Sequence, residues 1–273
     1  MVAVEELMQK TEARMRKLTR HQHIVFTERG NAAIFLAMAI AKKNNPKQVI
    51  LIPDQGGWFS YKKYPDFFGF TIVEVKTDYG LIDLKDLRDK VKNASAFIFT
   101  SFAGYFAEQS LRKIKTICKR AGCLVIEDAS GSIGDKKLCN GKYSDIIVGS
   151  FGKWKPVDCG YGGWVSTNEN KFLDSVPEAT SVTKVHPQFY KEIYRHLRKN
   201  RFKKLLALQA RVKVQLKDFE VLHRDKRGLN VVVKFEPKVL EFCQQKNYPY
   251  VLCPSYIRVN EKAISIELKR LDL

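Results

Sequence analysis

CLVIEDASGSIGDKKLCNGKYSDIIVGSFGKWKPVDCGYGGWVST, residues 123–167, decides how this chain is read. It holds three apolar, β-branched runs of strand length: CLVIE (Cys123–Glu127), DIIVG (Asp145–Gly149) and GGWVST (Gly162–Thr167). Working outward, four more such runs lie upstream: HIVFT within His21–Thr27, QVILI (Gln48–Ile52), FTIVEV (Phe70–Val75) and AFIFT (Ala96–Thr100). Between them stand stretches of helical period, AAIFLAMAIAKK (Ala32–Lys43), LKDLRDKV (Leu84–Val91) and EQSLRKIKTICKRA (Glu108–Ala121). Strands alternating with helices predict an α/β domain with a seven-stranded, mostly parallel sheet. The strands are near-continuously apolar, as expected for a sheet covered on both faces.

Downstream the composition shifts across Asn168–His186. Lys184–Lys217 carries eleven Lys or Arg against one acid, Glu192, a local charge of +10. Its apolar residues Phe189, Ile193, Leu197, Phe202, Leu205, Leu206 and Leu208 recur near helical spacing. A small α/β tail follows, with NVVVKF, a helix near Pro237–Lys246, YPYVL and AISIEL. The expected division is a large α/β domain over 1–180, a basic helical connector over 181–228 and a small α/β domain over 229–273.

The 273 residues are 45% hydrophobic and 28% charged, ordinary for a globular protein, but the net charge is +19. No run of about 18 apolar residues exists, which excludes a spanning helix and predicts no membrane partner. MVAVEELMQKTEARMRKLTR at the start has no apolar secretory core. The six cysteines include no CxxC pair, so reduced thiols and a cytoplasmic location are expected. The five histidines form no metal-ligand array, and no metal is expected.

In open parallel sheets, ligands sit at the carboxyl ends of the strands. After the first strand comes Arg29-Gly30-Asn31 and then a clean helix. A glycine turn opening a helix offers free N–H groups and the positive dipole end to a phosphate. It can equally be a helix start capped by Asn31. Glu127 and Asp128 end another strand, either as a charge-pairing or metal site or as a turn cap. In the loop Ser150–Gly163, a lysine flanked by bulky residues between two strands is either partly desolvated, where it offers a nucleophilic amine, or a solvated loop lysine.

Taken together, these elements resemble the large domain of fold-type-I pyridoxal-phosphate enzymes, most nearly the DegT/StrS-type sugar aminotransferases. That family's lysine loop follows a pattern like S-F-x-x-x-K-x-x-x-x-G-x-G-G. SFGKWKPVDCGYGG, from Ser150 to Gly163, fits without a gap. The family's E-D-A-A is matched by EDAS (Glu127–Ser130), its S-G-T-A-A by RGNAA (Arg29–Ala33), and its F-x-G by SFAG (Ser101–Gly104). The resemblance covers roughly residues 22–170. It implies pyridoxal 5'-phosphate as cofactor, a Schiff base on Lys155 rather than Lys153, and Asp128 against the pyridine nitrogen. Gly30, Asn31 and Ser150 would hold the phosphate, and Trp58, with Gln55 as rival, would stack on the ring. The family's N-x-R element, which serves the neighbouring subunit's phosphate site in a homodimer, has a partial match in Asn200-Arg201.

Tyr161 stands where the family carries Glu in G-E-G-G, and Gly131 where it carries Gln. Both positions bear on the substrate side. Related aminotransferases pair a substrate carboxylate with a C-terminal arginine, a role open to Arg258, although the strand AISIEL offers Ser265 instead. The reading is therefore an aminotransferase that passes an amino group from a donor such as glutamate to a small or sugar-linked oxo compound. Two others stand beside it. One is a pyridoxal-phosphate enzyme acting on an RNA-bound aminoacyl substrate, suggested by the basic stretch. The other is a cofactor-binding protein with lyase, desulfurase or no activity, for which Cys159 in the lysine loop is the cysteine to consider.

Overall fold

The computed structural model describes residues 2–273. All seven expected strands form: β1 (His23–Thr27), β2 (Val49–Pro53), β3 (Thr71–Val75), β4 (Ala94–Thr100), β5 (Leu124–Asp128), β6 (Ile146–Ser150) and β7 (Gly163–Thr167). They make one sheet in the order β1-β7-β6-β5-β4-β2-β3. Only β7 runs against its neighbours, β1 and β6. The cause is local. β5 and β6 pair in parallel through a helix-free connection long enough to cross back, whereas β6 reaches β7 through the shorter lysine loop, which turns straight back and makes the two antiparallel neighbours.

The main helices are α1 (Val2–Thr19), α2 (Gly30–Asn44), α3 (Leu111–Arg120), α4 (Tyr190–Leu197), α5 (Arg201–Gln215) and α6 (Pro237–Gln245). On one face, Ala33, Ala37 and Ile40 of α2 pack over Ile98, Ile126, Val148 and Val165. Small residues at these positions bring the helix axis close to the sheet. The other face is covered by Leu111, Ile114 and Ile117 of α3 against Phe97, Phe99 and Val125. Beside them, Met15 of α1 and Ile193 and Leu197 of α4 pack with Ile147 and Trp164.

The tail forms a second, antiparallel sheet of β8 (Val231–Lys234), β9 (Tyr250–Cys253) and β10 (Ala263–Ile266), in the order β8-β10-β9. α6 packs Val239 and Cys243 on it. The basic stretch becomes two helices rather than one. Leu205 of α5 is in the large core, while Val212, and Leu216 just after the helix, are in the small one. Lys203, Lys204, Arg211 and Lys217 face solvent. Lys213 instead turns inward and donates to the carbonyls of His223, at 3.2 Å, and Lys226. Burial pulls its ammonium down to about 8. Among the described residues, no helix is long and apolar enough to cross a membrane.

Candidate active site

Strand register builds the site. Gly163, the first residue of β7, pairs with Thr27 on one side and Ser150 on the other. Asp128 pairs with Thr100 and Val148. The carboxyl ends of β1, β4, β5 and β6 therefore meet along one edge, with the start of α2 beside them. A cavity of about 320 Å³ opens there. Gly30, Asn31, Trp58, Tyr105, Asp128, Ser150 and Lys155 line it, and the small domain closes one wall with Ile257, Arg258, Lys269 and Arg270.

Lys155 is half-buried, and its Nζ donates to Tyr105 Oη at 2.6 Å. The ammonium lies 4.5 Å from the centre of the Tyr105 ring and 5.4 Å from that of Trp58. Lys153 also reaches the cavity but is exposed. Two non-glycine residues here, Tyr105 and Trp154, hold left-handed backbone at φ 68° and 65°. Such strain costs on the order of 1–3 kcal/mol each and persists where surrounding structure fixes it. The Trp154 N–H donates to Asp158 Oδ2 at 2.7 Å.

Asp128 and Glu127 alternate to opposite faces of β5, so they do not form a pair. Asp128 Oδ2 accepts from the Tyr61 hydroxyl at 2.7 Å, and Oδ1 from the Ser130 N–H at 2.9 Å. Tyr61 is wholly buried. Burial first, and then the Asp128 charge, push its phenol well above the usual range, so it stays a donor. Glu127 accepts from Ser101 Oγ and Ser144 Oγ, both at 2.6 Å, and from the Cys139 N–H at 2.8 Å. Burial pushes its carboxyl up.

α2 begins at Gly30, and Arg29 precedes it without a side-chain cap. Asn31 is inside the helix and does not cap it. Its Oδ1 instead accepts from Trp58 Nε1 at 2.8 Å and Ser60 Oγ at 3.1 Å. The first-turn N–H groups thus lack a capping acceptor. A Cβ on Gly30 would stand 2.6 Å from Ser150 Cβ, so only glycine lets the helix start this near the β6 hydroxyl.

Residues 3–234 match the DegT/DnrJ/EryC1/StrS aminotransferase family. The chain belongs to that family. Residues 199–273 also match the MJ1341 family C-terminal domain. No curated protein matches the chain. Among solved structures, it is similar to a DegT DnrJ EryC1 StrS aminotransferase from Brucella abortus, at 18% identity and a TM-score of 0.72, over 96% of this chain and 84% of that one. It is similar to NtdA from Bacillus subtilis with bound cofactor PMP, at 17% identity and a TM-score of 0.74, over 96% of this chain and 72% of that one. It is also similar to the cysteine desulfurase from Thermococcus onnurineus NA1, at 12% identity and a TM-score of 0.71, over 96% and 79%. The fold is that of the fold-type-I enzymes, and the protein is a pyridoxal-phosphate-dependent aminotransferase.

The cavity of this aminotransferase suits its cofactor. The uncapped start of α2 with Ser150 fits a phosphate, Asp128 supplies a buried carboxylate, and Lys155 supplies an amine between aromatic faces. Other expected residues lie differently. Gln55 is outside the lining and accepts from the Asn260 N–H at 2.8 Å. Tyr161 is also outside it and stacks on Phe189 at 4.2 Å. Asn200 and Arg201 do not line their own chain's cavity, and Arg201 Nη2 donates to the Lys269 carbonyl at 2.8 Å.

Arg258 does line the cavity, but the expectation of a free fork needs correction. Its Nε and Nη2 are held by Glu267 at 2.7 and 2.6 Å, and Nη1 donates to the Ile257 carbonyl at 2.7 Å. The Ser265 hydroxyl is spent on the same carboxylate, at 2.8 Å. Sequence reasoning missed Tyr61, Tyr105, Lys269 and Arg270. Tyr105 had a signal, since it directly follows SFAG. The two cations after AISIEL had none, because only folding carries them to the cavity.

Proposed function

We propose that this aminotransferase carries pyridoxal phosphate covalently on Lys155 and passes an amino group from a donor such as glutamate to a small oxo acceptor. The observation that carries this reading is the Lys155 amine, 2.6 Å from Tyr105 Oη, in a cavity that Asp128 also lines. When bound, the cofactor supplies an electron sink that stabilises charge at the substrate carbon. Asp128, held by the Tyr61 hydroxyl and the Ser130 N–H, would present its carboxylate to the ring nitrogen. Gly30, Asn31 and Ser150 hold the phosphate, with Asn200 and Arg201 serving the partner subunit's site in a homodimer. Trp58, fixed through Asn31, offers its face to the ring. The Lys155 amine would be the base that moves a proton from the substrate carbon to the cofactor carbon, with Tyr105 Oη orienting Nζ.

Nothing in the geometry supports desulfurase chemistry. Cys159 lies outside the lining, and burial pushes its thiol up to about 12, far from a ready nucleophile. The RNA reading keeps one supporting observation, the solvent-facing Lys203, Lys204, Arg211 and Lys217 of α5 and its end. Titrating transfer RNA at two salt concentrations tests it: saturable binding that survives physiological salt would favour it.

The main reading is tested by visible spectroscopy. Adding pyridoxal phosphate should give a bound-state absorption band, and glutamate should then discharge it. A band that glutamate leaves unchanged would remove glutamate as donor. Absence of any band would remove the cofactor assignment to Lys155.

A further inference from the structure

A second cavity, of about 510 Å³, opens at the start of α3. None of its lining residues lines the cofactor cavity. Three separate segments bring cations to it: Arg20 just after α1, Arg112 and Lys113 in the first turn of α3, and Lys136, Lys137 and Lys142 in the connection from β5 to β6. Among the described residues, none of these six has a carboxylate at ion-pair distance. Lys226 also lines the cavity, but Asp225 pairs with it at 2.9 Å. The single acid of the lining, Glu108, is taken by Arg227, whose Nε donates to it at 2.8 Å.

This concentration works against the local electrostatics. A helix start carries the positive end of the dipole, where acidic residues are the stabilising choice. The first turn of α3 has no acid and two cations, and Ser110 before it makes no side-chain cap. Surfaces that merely stay in water mix both signs, because like charges gathered around one hollow repel. The cavity also holds a buried donor. Asn140 is 4% exposed and forms part of the wall. Its Oδ1 accepts from the Lys142 N–H at 3.1 Å, while its Nδ2 meets no protein acceptor among the described residues and is not sealed from the cavity. A mostly buried amide donor without an acceptor is costly, and a ligand oxygen removes the cost.

From these observations we infer that the cavity binds a small oligophosphate, a chain of two or more linked phosphates, either free or at the end of a nucleotide. A single orthophosphate carries too little charge for six cations spread over three segments, whereas linked phosphates are met from all three at once. The uncapped N–H groups of α3 and Asn140 Nδ2 give directional bonds, and the lysines and arginines give the charge. Tyr143, half-buried, closes one side, with Lys142 Nζ 5.7 Å from its ring centre. A nucleic-acid strand is the poorer occupant. A groove that tracks a strand offers aromatic faces to successive bases, and Tyr143 is the one aromatic residue of this lining. The site takes no part in the amino transfer proposed above and does not depend on it.

The test is calorimetric titration of the cofactor-loaded protein with inorganic triphosphate, with adenosine triphosphate and with orthophosphate. Triphosphate should bind once per chain, and orthophosphate about tenfold more weakly or worse. Adenosine triphosphate that only matches triphosphate identifies the phosphate chain itself as the ligand, and tighter binding identifies a nucleotide. The double variant Arg112→Gln/Lys136→Gln should weaken triphosphate about tenfold or more, whereas Lys203→Gln/Lys204→Gln, which removes the same charge from α5, should change it by less than about twofold. Asn140→Asp keeps the acceptor for the Lys142 N–H and turns the donor into a carboxylate, so it should weaken binding at least as much. Arg112 and Lys136 are exposed, so their variant decides the matter if Asn140→Asp fails to fold. Equal effects of the two double variants, as net charge alone would give, would overturn the inference. So would orthophosphate binding as tightly as triphosphate, or an RNA oligomer that binds more tightly than triphosphate and displaces it. Protein that takes up no cofactor still gives the answer, because phosphate held at the start of α2 is blind to all these substitutions.

Discussion

At the scale of single residues, the two lysines of the loop separate the reading most sharply. Lys155→Ala should abolish the cofactor's visible band, and Lys153→Ala should retain it. The reverse outcome in the absorption spectrum would mean that the loop pattern is misaligned by two residues. Lys155, Asp128, Gly30 and Ser150 were legible because each belongs to a motif contiguous in the chain, at a strand end that the apolar pattern already marks. Arg258 was half legible: its place in the cavity is as expected, but no pattern announced that Glu267, nine residues on, would occupy its fork. Tyr61 was hidden differently. It lies three residues beyond Trp58 in WFSY, and nothing local says that its hydroxyl crosses to β5 to hold Asp128.

Among the elements, β6 and β7 pack with the least slack. A Cβ on Gly149 would fall 1.9 Å from Cη2 of Trp164, which stacks on Phe151 at 4.7 Å. Gly149→Ala should therefore cost about 1–3 kcal/mol or more, read as a lowered denaturation midpoint, because the indole has no free volume to retreat into. The end of β10 should show its strain through pH. Glu267 is held at about 2, against an ordinary 4.5; burial opposes the shift, and Arg258 with its neighbours overcomes it. Because the folded value is the lower one, its stabilisation is complete above about 4.5 and is lost as pH falls through about 2. Acid unfolding followed by circular dichroism should thus steepen over that window, and Glu267→Gln should flatten it. That variant should also lose about 3–5 kcal/mol at neutral pH, since it strands a buried guanidinium. The strand count and the small tail sheet could be read from apolar runs alone. The reversal of β7 could not, because β5 and β6 run parallel with no helix between them either, so the type of connection does not announce the direction.

For the whole molecule, the resemblance to fold-type-I enzymes leads us to expect a two-fold dimer with an isologous interface, and sedimentation should report twice the chain mass. A monomer that still binds the cofactor tightly would defeat this. The +19 charge should make any nucleic-acid binding fall steeply with salt. Leu205 of α5 is fastened in the large core, while Val212 and Leu216 are fastened in the small one. At the same helix's start, Arg201 holds the carbonyl of Lys269. A helix embedded at both ends is a poor hinge. The small domain should not swing open as a lid, and a substrate must enter a mouth of fixed width. Calorimetry should accordingly register one melting transition for the entire chain, with no separate step for the small domain.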